Sequence, residues 1–403
     1  MTVLTPNDEA EVVEALADAL TGGKTFELVG RGSKRRIGRA AQTDRTLDVS
    51  GISGVPLYEP NELVLSARAG TPLAEIEKLL AENNQELAFE PADLGPLLGR
   101  AAGAGTLGGT LAVNLSGPRR IKAGAARDFA LGVRAVSGRG EAFKAGGRVV
   151  KNVTGYDLPK LIAGSWGTLA VMTEATIKVL PRAEDQETVL ALGLSDARAA
   201  DAMAAAMGSS CEVSGAAHLP LRAAAKIPAV AKAAYAVTAL RLEGIAVSVA
   251  YRRKRLEEIL KAFGASGGLS VLAADDSRAL WRAMRDVAPF ADKSQHAVWR
   301  ISTTPSAGAQ VAAKIAETGA DHYFDWAGGL IWAEMPDGAP RAELVRAALA
   351  GQGHALLVRA DAAYRTGDVF EPLSPALAAV TKRVKESFDP KGILNPGRMY
   401  AGI

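Results

Sequence analysis

The chain has 403 residues, more than one hydrophobic core usually serves, so we expect two or three domains. Hydrophobic residues make up 48% of it and charged residues 23%, the balance of a globular protein and not of a disordered or fibrous one. The formal net charge of +3 is too small to indicate a protein that binds nucleic acid.

The chain has a single cysteine, Cys211. One thiol cannot form an internal disulfide or hold an iron–sulfur cluster, so we expect an intracellular protein that passes any electrons to another carrier. The first ten residues lack the charge and apolar run of a signal peptide, and no stretch reaches about 18 uncharged apolar residues. We therefore expect a cytoplasmic protein that reaches the inner membrane only through partner subunits.

The N-terminal elements follow from hydrophobic spacing and turn residues. Helical periodicity predicts a helix over residues 6–20, and a short strand is expected at 26–29. A glycine-rich, basic loop follows at 30–38. Alternating apolar residues predict a strand over 63–69, and the Thr-Pro pair before the next apolar run predicts a helix over 71–83.

Residues 91–127 are dominated by glycine, alanine and proline and show little periodicity. Such stretches are typical of loops in which the backbone approaches another group closely. Strands are expected at 131–137 and, as a pair, within 169–180, where Pro181 ends this half of the chain.

The second half differs in character. Over residues 182–380, alanine-rich helices such as 198–206 alternate with short predicted strands at 245–250 and 297–302, which favours an α+β unit. The tail, residues 388–400, is again rich in glycine and proline.

Two glycine-rich segments are candidate phosphate sites. Residues 30–34 (GRGSK) follow a predicted strand, and their backbone N–H groups would form an anion-binding nest; the alternative is an ordinary turn with a solvated basic tail. Residues 106–110 (TLGGT) would start a helix beside the same phosphates, or form a packing corner. Together they favour a dinucleotide site, because a diphosphate needs donors from more than one side.

Two further matches carry less weight. Residues 103–108 fit the G-x-G-x-x-G pattern of nicotinamide dinucleotide folds, but no strand is predicted before them. Residues 22–25 (GGKT) resemble the end of a phosphate-binding P-loop, but Asp18 replaces its leading glycine and the order runs from helix to strand. Neither site is expected.

A longer series of motifs carries a family resemblance. In chain order the motifs lie at residues 30–34, 49–55, 59–64, 69–73, 107–110, 116–120, 127–133, 147–151, 152–158, 164–168, 179–181 and 395–398. The series resembles the FAD-binding subunits of bacterial glycolate oxidase, within the vanillyl-alcohol-oxidase-like (PCMH-type) FAD family. Most of the matching motifs lie within residues 25–181. Few matches occur in the middle of the chain, and a clear match returns at residues 388–400.

The resemblance implies an α+β fold. Its parts would be a two-lobed PCMH-type FAD-binding domain at residues 1–181, an α+β cap or substrate domain at 182–385, and a C-terminal segment at 386–403 that returns to the FAD domain. The implied FAD contacts are Gly30, Arg31, Gly32, Ser33, Lys34, Gly38, Thr106, Leu107, Gly108, Gly109, Thr110, Ser116, Arg127, Asp128, Gly164, Gly167, Thr168, Val171, Asn395 and Arg398. Some relatives attach flavin through His or Cys, but neither occurs before Cys211, so noncovalent FAD is expected.

The substrate side offers two arginines. Arg285 resembles an arginine that relatives use for a substrate carboxylate, which a guanidinium fork suits; the alternative is an ion pair on a helix surface. Arg300, on a predicted strand, is the second candidate. The histidines, at 218, 296, 322 and 354, are widely separated in sequence, and the Glu-His-Gly motif of metal-dependent relatives is absent, so no metal site is expected.

The implied function is that of one subunit of a glycolate dehydrogenase complex, which oxidises glycolate to glyoxylate. A larger FAD-binding subunit and an iron–sulfur subunit are the implied partners, with a small 2-hydroxy acid as substrate. Two alternatives stay open: a self-sufficient FAD oxidoreductase for another 2-hydroxy acid, and an architectural subunit whose FAD only stabilises the assembly.

Overall fold

The structure is a computed structural model that describes residues 2–40, 42–149, 155–292 and 295–403. The chain divides into two compact units. The first comprises Met1–Ser116, Gly124–Arg182 and Arg365–Ile403, and the second comprises Gly117–Ala123 and Ala183–Tyr364. The mixture of helices and sheets confirms the predicted α+β class.

The α-helices, in chain order, are α1 Glu9–Gly22, α2 Leu73–Ala81, α3 Leu107–Val113, α4 Arg120–Ala123, α5 Ala126–Phe129, α6 Leu158–Ile162, α7 Asp196–Met207, α8 Leu221–Ala224, α9 Pro228–Ala231, α10 Ala246–Lys261, α11 Ala274–Arg285, α12 Pro305–Ala316, α13 Ala342–Leu349 and α14 Pro375–Phe388. Within the described residues, none of them is both long enough and apolar enough to cross a membrane.

The strands are β1 Thr2–Leu4, β2 Phe26–Val29, β3 Arg45–Asp48, β4 Leu57–Glu59, β5 Val64–Arg68, β6 Gln85–Glu86, β7 Ala130–Ser137, β8 Ala142–Gly146, β9 Ala170–Lys178, β10 Leu180–Pro181, β11 Asp185–Leu192, β12 Gly215–Leu219, β13 Val237–Gly244, β14 Leu269–Leu272, β15 Val298–Thr303, β16 Asp321–Asp325, β17 Leu330–Glu334 and β18 Gly353–Arg359.

Two main sheets build the first unit. A parallel sheet has the order β1-β3-β2, and an antiparallel sheet has the order β4-β5-β9-β7-β8. Helix α1 buries Val12, Leu16 and Ala19 in a cluster that also contains Leu394 from the tail. The C-terminal residues are thus part of the core of this unit.

The start of α1 differs from the prediction. Asp8 is the cap, because its side chain accepts a hydrogen bond from the backbone N–H of Glu11 at 2.9 Å. A carboxylate at this position satisfies one of the free N–H groups of the first turn and interacts favourably with the helix dipole. The helix therefore begins three residues later than the periodicity suggested.

One antiparallel sheet of eight strands, in the order β14-β11-β13-β12-β16-β17-β15-β18, forms the second unit. Helices α7, α10, α11 and α12 contact its strands. The predictions of a helix near 198–206 and a strand near 297–302 are confirmed by α7 and β15.

The strand predicted at 245–250 is wrong, because these residues begin helix α10. The preceding strand ends at Gly244, whose φ of 143° suits a glycine at the corner. Val247 and Tyr251 then lie one helical turn apart on the exposed side, at 83% and 73% exposure. A short apolar run alone could not distinguish this helix start from a strand.

The limits of the compact units differ from the expected domain limits at 181 and 385. Residues 365–385 belong to the first unit. A physical reason is Lys385, which is buried there and donates to the backbone oxygens of Thr168 and Leu394 at 2.7 and 2.8 Å. Residues 117–123, expected in the first domain, pack with the second unit.

Candidate functional site

The glycine-rich loop after β2 has the geometry of an anion nest. Arg31 and Gly32 both have positive φ, 50° and 68°, and the Gly32 N–H donates to the Gly30 oxygen at 2.6 Å. The backbone N–H groups of Arg31, Ser33 and Lys34 donate to no described residue. Free N–H groups grouped in a tight turn form a concavity that binds anions.

The second glycine segment lies against the first. Thr106 caps α3 by accepting the Gly109 N–H at 3.2 Å. A Cβ on Gly30 would lie 2.9 Å from the Thr106 hydroxyl oxygen, and one on Gly108 would lie 2.7 Å from the Cβ of Ala69. Glycine is therefore required at positions 30 and 108, because the neighbouring residues leave no room for a Cβ atom. Helix α3 has only seven residues. The second glycine segment therefore contributes to the site mainly through this close packing and not through the N-terminus of the helix.

A cleft, partly open to solvent, is bounded by these two segments. The residues that line it are Leu28, Val29, Gly30, Gly32, Ser33, Lys34, Arg35, Val49, Ala69, Gly108, Gly109, Ala112, Val113, Ile162, Ser165, Trp166, Gly167, Ala170, Val171, Met172, Asn395 and Arg398.

Lys34 gives this cleft an unneutralised positive charge. The residue is buried, and its ammonium makes no hydrogen bond or ion pair with a described residue. Burial lowers the pKa of Lys34 to about 8, and the nearby Asp93 opposes the shift. A buried ammonium without a partner is costly, so the site is suited to an anionic ligand.

Ser165 also lines the cleft. Its hydroxyl is buried and has no hydrogen-bond partner among the described residues. Buried polar groups normally have a partner, and an exception indicates a missing ligand or water. Together with the free N–H groups of the first loop and the Lys34 ammonium, this hydroxyl fits the acceptor-rich diphosphate of a dinucleotide.

The C-terminal tail closes the base of the cleft. The amide oxygen of Asn395 accepts the Leu28 N–H, and its nitrogen donates to the Trp166 oxygen, both at 2.8 Å. Arg398 donates to the backbone oxygens of Lys34 and Arg35 at 3.2 and 3.1 Å. Burial lowers the pKa of Arg398 to about 10. These bonds fix the tail to β2 and to the glycine loop.

Comparison with known proteins agrees with this geometry. A family model described as an FAD binding domain matches residues 2–146, and one described as the C-terminal domain of FAD linked oxidases matches residues 369–399. The glycolate oxidase subunit GlcE of Escherichia coli is 33% identical over 395 residues, which cover 97% of each protein. The chain belongs to the GlcE family of FAD-binding proteins. FAD is its cofactor.

Shorter and more distant similarities support the fold of this GlcE-family chain. The glycolate oxidase subunit GlcD of Bacillus subtilis is 42% identical over 87 residues, 22% of this chain and 18% of that protein. The solved structure of p-cresol methylhydroxylase superimposes with a TM-score of 0.72 at 13% identity, covering 98% of this chain and 88% of the other. Alkyldihydroxyacetonephosphate synthase gives 0.68 at 18%, covering 98% and 75%. The predicted PCMH-type fold is confirmed.

The structure brings half of the sequence-predicted cofactor residues to the cleft. Those that line it are Gly30, Gly32, Ser33, Lys34, Gly108, Gly109, Gly167, Val171, Asn395 and Arg398. The remaining predicted residues do not line it; they are Arg31, Gly38, Thr106, Leu107, Thr110, Ser116, Arg127, Asp128, Gly164 and Thr168. Two of the family motifs, 147–151 and 152–158, fall partly on residues 150–154, which lie outside the described residues.

Several of the residues away from the cleft support its loops. Arg127 donates to the Ala163 oxygen at 3.2 Å, and Asp128 accepts the Ala125 N–H at 2.8 Å. A Cβ on Gly38 would lie 2.8 Å from Nε of Arg398, so this glycine makes room for the tail. Their observed contacts are therefore structural.

The apolar lining was not predicted from the sequence. It comes mainly from strand and helix residues such as Leu28, Ala112, Ile162 and Met172, together with the indole of Trp166. Aliphatic residues at these positions look like ordinary core residues, so no local pattern separates them. Of the β9 residues that line the cleft, Ala170, Val171 and Met172, only Val171 was among the FAD contacts implied by the family resemblance.

The two predicted substrate arginines lie in different settings in the second unit. Arg285 ends α11, and its guanidinium is occupied by a two-bond pair with Asp286 at 2.8 and 2.9 Å, the alternative considered from the sequence. Arg300 on β15 lies with its guanidinium carbon 4.9 Å from the ring centroid of Trp326. Its guanidinium makes no hydrogen bond or ion pair with a described residue. Burial, with help from Arg120, lowers the pKa of Arg300 to about 10.

Two histidines that are distant in sequence lie close together in the structure. His218 and His322 both reach Asp196, with Nε2-to-carboxylate distances of 3.3 and 2.7 Å. Although burial opposes it, the hydrogen bond with His322 and the nearby ring of His218 hold the pKa of Asp196 well below its usual value. Among the described residues, no set of three or more His, Cys, Asp or Glu has the geometry to hold a metal ion.

Proposed function

We propose that this chain is the FAD-binding subunit of a 2-hydroxy-acid dehydrogenase assembly that oxidises glycolate to glyoxylate. The observation that carries the proposal is the similarity to the glycolate oxidase subunit GlcE, which extends along 97% of both chains. When bound, FAD accepts two electrons, and the protein supplies binding, orientation and electrostatic tuning. Lys34, Ser165 and the free N–H groups of the glycine loop would bind its diphosphate.

FAD binding is proposed to be noncovalent. None of the described residues that line the cleft is a His or a Cys, the residue types that attach flavins covalently in some relatives. Acid precipitation of the purified chain should therefore release the yellow cofactor into the supernatant. Colour that stays with the precipitated protein would contradict noncovalent binding.

A partner with an iron–sulfur cluster would receive the electrons. The chain cannot hold a cluster itself, since Cys211 is its single cysteine and is buried. A larger flavin subunit is the second proposed partner, and the local similarity to the glycolate oxidase subunit GlcD supports a shared ancestry for the two.

Of the two candidate arginines, Arg300 is proposed to contact the substrate carboxylate. Its guanidinium lacks an anionic hydrogen-bond partner among the described residues, whereas that of Arg285 is paired with Asp286. A planar guanidinium presents two parallel N–H donors, which match the two oxygens of a carboxylate.

Anaerobic mixing with glycolate tests the function. We expect the flavin of this chain to be bleached only when the chain is assembled with its flavin and iron–sulfur partners. Bleaching of the isolated chain would support the self-sufficient oxidoreductase instead. A flavin of this subunit that keeps its oxidised spectrum throughout turnover of the complex would support the architectural role.

A further inference from the structure

Residues 117–123 carry two arginines into the second unit. The first, Arg119, donates to both carboxylate oxygens of Glu243, at 3.1 and 2.7 Å. The backbone oxygen of Gly117 accepts the indole N–H of Trp326 at 3.0 Å. These bonds hold the segment against β13 and against the turn that follows β16. They thereby fix the position of Arg120, the residue after Arg119.

Arg120 lies over the same indole as Arg300. The guanidinium carbons are 4.4 and 4.9 Å from the ring centroid of Trp326, respectively. Neither guanidinium makes a hydrogen bond or an ion pair with a described residue. By contrast, the adjacent Arg119 is neutralised by its ion pair with Glu243.

The indole attracts both cations but does not neutralise them, since a cation–π contact leaves the charge in place; Arg120 is exposed and Arg300 is half-buried. The pKa of Arg300 is lowered by burial and, to a smaller extent, by the neighbouring charge of Arg120, because like charges repel each other. Asp325, whose carboxylate accepts the backbone N–H of Trp326 at 2.7 Å, opposes this shift. An anion that contacts both guanidinium groups would offset this repulsion.

The backbone at this point is also strained. Trp326 and Ala327 both have positive φ, 51° and 56°, although neither is glycine. Residues in this region carry an energetic cost, and they persist where the surroundings determine the conformation, often at functional sites. Here the strained turn presents the indole between β16 and β17.

We propose that Arg120 and Arg300 bind one carboxylate group together beside Trp326, which makes Arg120 a further substrate-binding residue. The identity of the ligand as a 2-hydroxy acid rests on the proposed function; the two-arginine carboxylate site rests on the geometry above. A pair of guanidinium groups offers more donors than one carboxylate needs, so the site selects for a ligand with a second oxygen next to the carboxylate, as in a 2-hydroxy or 2-oxo acid.

Binding of oxalate to the FAD-loaded chain tests this site, because oxalate is a two-carbon dicarboxylate that cannot be dehydrogenated. Calorimetric titration should show oxalate binding to the wild type and a Kd at least about tenfold higher for R120Q and for R300Q. The matched control is Arg255→Gln, because Arg255 is an exposed arginine of α10 in the same unit. Its Kd for oxalate should equal that of the wild type.

Thermal unfolding separates binding from a structural role. Without oxalate, R120Q should melt no lower than the wild type, because the substitution removes a repulsion; with oxalate, only the wild type and R255Q should gain stability. A wild type that does not bind oxalate, or an R120Q variant that binds it as tightly, would overturn the inference. Glycolate oxidation by the complex is measured separately: its absence refutes the proposed function and leaves the carboxylate site standing.

Discussion

Lys34 is the residue that we expect to contribute most to FAD binding, because its buried ammonium has no anionic partner bonded to it. Replacing Lys34 with glutamine should raise the Kd for FAD about 10- to 100-fold, since a charge-assisted hydrogen bond contributes ~1.5–3 kcal/mol. Fluorescence titration of the flavin-free protein measures this. Lys24→Gln is the control, because Lys24 is exposed and pairs with Asp44; a Kd for K34Q equal to that of K24Q would rule out the role.

The same lysine predicts how FAD affinity depends on pH. Burial lowers the pKa of Lys34 from 10.5 to about 8 in the flavin-free protein. The unfolded chain then holds one more proton than the folded chain between these values, so the stability of the flavin-free protein should rise as the pH increases from about 8 to 10.5. FAD affinity should fall above about pH 8, where the ammonium loses its proton. Titrations from pH 7 to 10 should show this fall in the wild type and a flatter profile in K34Q.

Two buried threonines provide a matched comparison. Thr110 has a hydroxyl without a hydrogen-bond partner among the described residues, whereas Thr71 both accepts from and donates to Gly54 at 3.0 Å. T110V should leave the unfolding free energy of the flavin-free protein unchanged or slightly higher. T71V should lose about 1–3 kcal/mol, because it leaves buried backbone groups unpaired. Denaturant titration checks both, and equal losses would contradict this account.

At the scale of the element, α14 is held by its last turn. Lys385 is the one buried residue of this helix. Its ammonium donates to Asp389 at 2.6 Å and to two backbone oxygens. Lys385→Met should destabilise the first unit by about 3–5 kcal/mol, because it leaves the buried Asp389 carboxylate without its counter-ion.

The control for that helix is Lys382→Met. Lys382 and Glu386 form a pair one turn apart on the exposed side, and such pairs contribute little to stability. Chemical denaturation of both variants measures the difference. A loss in K382M comparable to that in K385M would mean that the whole helix, and not its buried lysine, sets the stability.

Elements with a local cause could be predicted from the sequence. The glycine loop follows from alternate glycines after an apolar strand, and β2 occupies the residues 26–29 that were predicted. Helix α10 was missed because Val247 is apolar but exposed, which hides the helical period. Arg120 could not be recognised, since its contact with Trp326 joins residues about two hundred positions apart. Pairings of this kind depend on the tertiary fold, which local patterns do not encode.

At the scale of the molecule, the first unit is discontinuous and its tail completes it. Phe26 pairs with Leu394, and its N–H donates to the Ile393 oxygen at 2.7 Å. A chain that ends after residue 364 should therefore lose FAD binding and the cooperative unfolding of this unit. The chain that keeps residues 365–403 is the control and should bind FAD normally. Flavin absorbance and thermal unfolding measure both; FAD retained by the shorter chain would contradict this prediction.

The bonds from Asn395 and Arg398 to the strand and loop near residue 30 have a consequence for biosynthesis. A growing polypeptide cannot assemble this cleft until residues 395–398 have left the ribosome, because residues near 30 and residues near 398 both line it. Long-range closure of this kind slows folding. We therefore expect the subunit to bind FAD only after residues 395–398 have been synthesised, so that a cell short of the vitamin precursor accumulates colourless subunits that already contain this tail.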